Sequence, residues 1–489
     1  MRESGILMHI TSLPGKYGIG SMGKHAFSFV DFLRQAGQRC WQILPLSPTG
    51  FGDSPYQSCS AFAGNPYLID FENLMDAGLL TEAELEAADW GSREDRVDFG
   101  RQYEEKLRLL GLAFGRFTGT EEFERFCREN NAWLSDFALF MALREENGGK
   151  PWYAWEQPLK HRDPEAMWQA RKRLQERIRF HCFVQYLFFT QWGRLHRYAT
   201  ERGISIIGDV PIYVPLDSVD VWADPELFQL DDSLAPTEVA GVPPDFFSEE
   251  GQLWGNPLYR WEEMAKGGYS WWLRRLEAAG RLYDRVRLDH FRGFESYWAV
   301  PAGDETAKGG RWVKGPDMAF LGLLQEKLPQ LQIIAEDLGI LTEDVKQMHK
   351  ASGFPGMKVL SFAFDSPDSE YLPHNCIPNS VCYTGTHDNM TALQWLETTS
   401  EETLAYAKDY MQLTEAEGFV WGLIRTAMGT VCDLCIVPMQ DYLELGAEGR
   451  MNFPGTLSDL NWTWRAKDGI INGKLAEKIL KLTKLYGRA

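Results

Sequence analysis

Short apolar runs, each closing on polar or glycine-containing residues, recur eight times along the chain: GILMHI (5–10), CWQILPL (40–46), ISIIGDV (204–210), DRVRLD (284–289), QIIAED (332–337), MKVLSF (357–362), SVCYTG (380–385) and LCIVPM (434–439). Several are apolar without alternation, the pattern of strands covered on both faces. Helical patterns lie between most of them, such as GKHAFSFVDFLRQAG after the first and LTEDVKQMHKASG after the fifth. Eight strands alternating with helices predict an α/β fold, a parallel sheet closed as a (β/α)8 TIM barrel. The alternative is an open doubly wound sheet, but no GxGxxG follows the first run.

The 489 residues are long for one domain, yet barrels with insertions reach this length as a single unit. The reading is therefore one catalytic barrel over 1–489 carrying two insertions. Residues 70–200, between strands 2 and 3, are charged and rich in helical patterns, and from Asp163-Pro164 towards Gly203 they read as one long helix. Residues 212–283, between strands 3 and 4, are rich in Gly, Pro and aromatics and read as a lid-bearing insertion. The terminal KLAEKILKLTKLYG reads as a closing amphipathic helix.

The net charge of −19 argues against nucleic acid and anionic membrane surfaces as partners, since both need a basic footprint. A neutral substrate fits better. The 18 Trp and 18 Tyr exceed what a core needs, and pyranose rings present apolar C–H faces to such side chains. The N-terminus shows no apolar signal region, and no apolar run is long enough to cross a bilayer. Eight cysteines without framework spacing suit free thiols in a reducing cytoplasm. One CxxC, Cys432 to Cys435, lies in an apolar strand-like run without a second pair or a following His cluster, which argues against metal or redox use.

Catalytic groups of (β/α)8 enzymes sit where strands end. Asp209 ends the third run, Arg287 and Asp289 the fourth, and Glu336 and Asp337 the fifth, while His387 and Asp388 follow the seventh in GTHDN. Each alone reads as a structural charge or a helix cap; four strand ends bearing carboxylates on one rim read as a site. Arg287 and Asp289, two apart on a strand, share a face, and a guanidinium beside a carboxylate favours its ionised form. That suits a nucleophile. Glu336 follows QIIA, with no basic residue near it in sequence; an apolar setting would keep it protonated, as a general acid requires. Adjacent strands lie roughly 5 Å apart, about the carboxyl separation of retaining glycosidases. His387 and Asp388 offer a donor and an acceptor side by side for adjacent sugar hydroxyls. A metal hydrolase is the competing reading, but the chain has neither HxH at its first strand nor HExxH.

The segments GDVPIYV (208–214), RLDHFRGF (287–294), IIAEDLG (333–339) and GTHDN (385–389) together resemble the four signature regions of the α-amylase clan. Their wording is similar to that of one branch, the 4-α-glucanotransferases of glycoside hydrolase family 77. SPYQSCSAFAGNPYLI (54–69), PPDFFSEEGQLWGNPLY (243–259) and MNFPGTLSDLNWTWR (451–465) extend the resemblance over almost the whole chain. It implies Asp289 as nucleophile, Glu336 as acid/base and Asp388 as the third, transition-state-stabilising carboxylate. It further implies Arg287 and His387 at the cleavage subsite, with Ser54 and Tyr56 beside them and Tyr56 stacking on a sugar. Asp209 would support the floor, and Asp245, Gln252 and Trp254 would stand on a lid at the acceptor side. Asn452 would contact the donor chain, with Asn461 close enough in sequence to compete for that role. No calcium-site pattern, metal or other cofactor is implied, and the substrates would be maltooligosaccharides and α-1,4-glucans. A hydrolase of the amylase type would use the same three carboxylates. A non-catalytic glucan-binding protein on the same fold would be expected to lack one of them.

Overall fold

A computed structural model describes residues 2–244, 249–339 and 341–489. Twelve strands are present among them. They are β1 (Glu3–Leu7), β2 (Cys40–Gln42), β3 (Ser205–Val210), β4 (Glu238–Val242), β5 (Gln252–Pro257), β6 (Arg285–Leu288), β7 (Ser296–Pro301), β8 (Arg311–Lys314), β9 (Gln332–Ala335), β10 (Gly356–Val359), β11 (Ser380–Tyr383) and β12 (Leu434–Pro438). Eight close a barrel in the order β1-β12-β11-β10-β9-β6-β3-β2, and each of these pairings is parallel. All eight apolar runs supply one barrel strand each. The reason is double burial: consecutive strand residues point to opposite faces, yet Ile206 and Ile207 are both fully buried, one inside the barrel and one under helices.

The helical layer follows from spacing. Helix Lys24–Gln35 buries Ala26, Phe29, Val30, Phe32 and Leu33, a stripe at three- and four-residue intervals. The last helix, Gly473–Leu485, is capped by the Asn472 side chain and packs against it. Among the described residues no helix is long and apolar enough to cross a membrane.

Between β2 and β3 the chain forms a group of helices that includes Phe99–Arg116, Asn131–Glu146, Pro164–Arg173 and Gln175–Glu201. The single long helix expected from Asp163-Pro164 onward is broken at Leu174 (φ −101°, ψ 16°). No Gly or Pro marks the break. Tertiary contact overrides local propensity there, with both pieces anchored to helix Asn131–Glu146 through Arg171–Asp136, Arg173–Glu146 and Arg177–Glu145.

Residues 212–283 divide in two. Their last part, helix Ser270–Leu282, belongs to the barrel and packs on β3 and β6. Their middle supplies β4 and β5, which join β7 and β8 from beyond β6 in an antiparallel sheet of order β5-β4-β7-β8. Val239, Val300 and Ala307 form its small separate core, with Trp298 against them.

One close approach fixes the strand that carries Asp209. A Cβ on Gly208 would lie 2.2 Å from ring carbons of Tyr283, a fully enclosed side chain whose hydroxyl accepts the Leu46 N–H at 3.3 Å. Gly208→Ala should therefore destabilise the fold by roughly 1–3 kcal/mol through overpacking. Thermal unfolding checks this, and an unchanged melting temperature would contradict it.

Candidate active site

The candidate residues gather at the C-terminal ends of β3, β6, β9 and β11 because the strands are parallel and in register. Asp209 on β3 is the Cα partner of Arg287 on β6, and Leu288 is the partner of Ala335 on β9. The next residues, Asp289 and Glu336, leave the strands side by side. Their backbones stay tied to the neighbours, Asp289 N–H to the Val210 carbonyl at 3.1 Å and Glu336 N–H to the Leu288 carbonyl at 3.0 Å.

Arg287 stands at the centre. Its Nη1 donates to Asp209 Oδ2 at 2.6 Å and to Asp289 Oδ1 at 3.0 Å, and its Nη2 lies 3.9 Å from Glu336 Oε2. The guanidinium is buried, as is the Asp209 carboxylate beneath it. Tyr56 donates its hydroxyl to the same Asp209 Oδ2 at 2.8 Å.

The two central carboxyls hold protons differently. Burial pushes the Asp289 carboxyl up to about 6, with the Arg287 guanidinium pulling against it. Burial pushes Glu336 up to about 8; Arg287 opposes this, the Asp289 charge adds to it, and the His290 N–H, donating to Glu336 Oε2 at 2.5 Å, opposes it again. Both carboxyls are held above the usual carboxylate range, Glu336 further than Asp289. The setting of Glu336 is thus buried but not apolar, as its sequence neighbours suggested, because Arg287 arrives from the adjacent strand.

His290 bridges Glu336 and β5. Its backbone is left-handed (φ 48°, ψ 49°), which aims its N–H at Glu336. Its ring meets Trp254 edge-on, with centroids 4.9 Å apart at 83°. Trp254 in turn donates its indole N–H to Gln252 Oε1 at 3.2 Å, so both β5 residues stand beside the residue that follows Asp289. Asp245 lies outside the described residues.

Asp388 forms the opposite wall. Its side chain is 42% exposed to the cleft, with Oδ2 3.3 Å from His387 Nε2 and Oδ1 accepting from Asn452 Nδ2 at 2.7 Å. Enclosure by the protein would raise this carboxyl, but His387, Asn452 and Arg287 together outweigh that and hold it well below the usual carboxylate range. Asn461 does not reach it; its side chain instead ties Phe453 to Thr456 within the same loop. Two residues without an assigned role join this wall. Arg450 donates to the Asp388 carbonyl at 3.3 Å, and Asn389 Oδ1 accepts both the N–H and the hydroxyl of Thr386 at 2.8 Å, shaping the turn.

Tyr56 stacks on His387, with centroids 5.2 Å apart at 11°, and Trp462 leans on both rings. One face of Tyr56 is therefore occupied by the protein. Ser54 builds the turn that presents Tyr56, its Oγ accepting the Tyr56 N–H at 3.2 Å. Behind them His9 is buried and accepts the Leu44 N–H at Nδ1 (3.2 Å); burial, then the charge on His387, pushes its pKa down to about 3. Asp337 turns away from the cleft, accepting the Met357 N–H at 2.6 Å. Among the described residues no group of three or more His, Cys, Asp or Glu side chains could hold a metal ion.

A closed parallel barrel with three carboxylates at neighbouring strand ends, one buried arginine among them and the aromatic-bearing strand β5 beside them, has the form of an α/β-barrel enzyme. The family model described as 4-alpha-glucanotransferase, glycoside hydrolase family 77, matches residues 8–471. A 4-alpha-glucanotransferase of Clostridium butyricum is 47% identical, over 98% of this chain and all of that protein. One from Thermus thermophilus is 49% identical, over 96% of this chain and 95% of its own length. An amylomaltase structure from Streptococcus agalactiae, in complex with acarbose, superposes with a TM-score of 0.97 at 41% identity, covering both chains in full. The chain is an enzyme of the 4-alpha-glucanotransferase family.

Tyr56→Phe removes a donor to a buried carboxylate. The expected cost is about 1.5–3 kcal/mol of stability, the range for hydrogen bonds to charged groups. Thermal unfolding of the variant checks this; a melting temperature equal to that of the wild type would show that the Tyr56–Asp209 bond contributes nothing.

Proposed function

We propose that the enzyme moves α-1,4-glucan segments between maltooligosaccharide or glucan chains by a retaining double displacement. The observation that carries this reading is the placing of two carboxyls on adjacent strand ends around one guanidinium, Asp289 at 3.0 Å and Glu336 at 3.9 Å, with burial pushing Glu336 further up than Asp289. Glu336 gives its proton to the glycosidic oxygen while Asp289 attacks the anomeric carbon, forming a glycosyl–carboxylate ester and releasing the leaving chain with a free 4-hydroxyl. A 4-hydroxyl of an acceptor then enters. Glu336, now a carboxylate, takes its proton, the new α-1,4 bond forms, and Asp289 departs ionised. Asp388, held charged by His387 and Asn452, faces the positive charge that grows on the sugar in both steps.

Transfer in place of hydrolysis requires that water lose to a sugar acceptor. Trp254 and Gln252 on β5, reaching the residue next to Asp289, supply an aromatic and polar surface on the acceptor side. The relatives named as 4-alpha-glucanotransferases favour the same reading over an amylase-type hydrolase. A purely glucan-binding role has no need of two adjacent carboxyls raised by burial beside an arginine, the arrangement Asp289 and Glu336 make. Eight free cysteines fit a reducing cytoplasmic setting.

Incubation with pure maltotriose, without added metal, tests this. Transfer yields glucose together with a ladder of longer maltooligosaccharides; glucose and maltose alone would mean hydrolysis. Asp289→Asn should lower both transfer and hydrolysis by at least about 10³-fold, the scale on which removal of a covalent nucleophile acts. Near-normal turnover by that variant would overturn the nucleophile assignment.

A further inference from the structure

Asp388 and Asn452 meet beyond the last residues that β11 and β12 pair with each other, Tyr383 and Ile436. Asp388 stands in the turn that Thr386 and Asn389 shape, and Asn452 in a loop that leaves the short helical turn Ala447–Gly449. The Asn452 amide nevertheless donates to Asp388 Oδ1 at 2.7 Å. Holding that bond in place needs a tie between the two main chains.

Arg450 supplies it. Its Nε donates to the Asn452 carbonyl at 2.8 Å and its Nη2 to the Asp388 carbonyl at 3.3 Å, so one planar guanidinium holds both loops at once. The Phe453 ring lies 4.4 Å from the guanidinium carbon and supports the plane of that fork. The same loop is fastened on its other side, by the Trp462 N–H donating to the Met451 carbonyl at 2.7 Å and the Phe453 N–H to Asn461 Oδ1 at 3.0 Å. Arg450 spends these two donors on carbonyls, which leaves Asp388 Oδ1 to Asn452 and Oδ2 to His387.

We propose, on the reading of Asp388 as the carboxylate that faces the charge growing on the sugar, that Arg450 is a positioning residue of the transfer reaction. Its guanidinium clamps the Asn452 loop to the Asp388 loop, and so keeps the Asn452 amide on Asp388 and the carboxylate turned to the cleft. Without the fork the amide is free to leave, and the carboxylate loses one of the two groups that fix its side chain. A lysine in this place carries the same charge, but its ammonium is a point charge with no planar edge to bridge two carbonyls. Arg450 also borders a cavity with His387, Asn389 and Met451, so direct contact with a sugar is the competing role, and that role would show in KM.

The test measures initial rates of maltotriose disproportionation over a range of concentrations. It compares the full-length wild type with Arg450→Met, Arg450→Lys, Asn452→Ala, the double variant Arg450→Met/Asn452→Ala and Asp388→Asn, each checked for folding by thermal unfolding. Arg450→Met should lower kcat about 10–10²-fold, the scale on which a misplacement of about 1 Å acts, and leave KM within about twofold. Arg450→Lys should lose kcat to a similar extent, and it carries the test alone if the methionine variant does not fold. The double variant should be no slower than Asn452→Ala, because the fork acts through that amide. A normal kcat in Arg450→Met, recovery of kcat by lysine, a loss confined to KM, or effects that multiply in the double variant would each overturn the proposal. Asp388→Asn separates this from the reading beneath it. Near-normal transfer by that variant would overturn the role of Asp388 and the positioning role with it, whereas lost transfer there beside a normal Arg450→Met would overturn the positioning role alone.

Discussion

The guanidinium of Arg287 lies within ion-pairing distance of three carboxylates, Asp209, Asp289 and Glu336, each delivered by a different one of three adjacent strands. A buried arginine without partners would be untenable, and so would a buried Asp209; each makes the other possible. Tyr56 completes the arrangement from β2's loop, binding Asp209 with its hydroxyl while its ring supports His387. Asp289 stays ionised at neutral pH because Arg287 is close. Burial raises both carboxyls; Glu336 goes further, with Arg287 farther from it and the Asp289 charge adding to the rise. A difference of under one ångström in distance, 3.0 against 3.9 Å, thus helps to assign two carboxyls to opposite chemical tasks.

The barrel provides the register that makes this distance reproducible, and the antiparallel sheet brings an aromatic strand beside it. β5 carries Gln252 and Trp254, and Trp254 rests against His290, whose strained backbone donates to Glu336. Trp254 and Glu336 are consequently joined through one residue. On the other wall, the loop that carries Asn452 grips Asp388 and leaves its carboxylate facing the cleft. Asp289 and Glu336 share one cation, whereas Asp388 is held by Asn452 and His387.

Much of the scaffold is legible in the sequence because parallel barrel strands are buried on both faces and so read as unbroken apolar runs. Asp209, Arg287, Asp289, Glu336 and Asp388 are conspicuous for the same reason, as charges placed where such runs stop. What the sequence conceals is non-local. β4 and β5 pair with β7 and β8 across the intervening β6, so no local pattern announces that sheet. The break at Leu174 serves contacts with a preceding helix. Arg287 reaches Glu336 across a strand boundary, which no inspection of QIIAED reveals. Tyr56, His387 and Trp462 form one aromatic group from three distant segments. Likewise Cys382 meets Cys435 of the CxxC only once β11 and β12 are side by side.

The central claim is that Glu336 carries a proton at neutral pH while Asp289 does not. Infrared difference titration of the free enzyme reads this from the C=O stretch of protonated carboxyls. Other buried carboxyls, Asp220 and Asp441, are raised to about 6 and lose their protons earlier. The account predicts a protonated-carboxyl band that persists past neutrality, disappears as pH rises through about 8, and is missing in Glu336→Gln. A spectrum with no such band above about pH 6, or a band unchanged by Glu336→Gln, would contradict it.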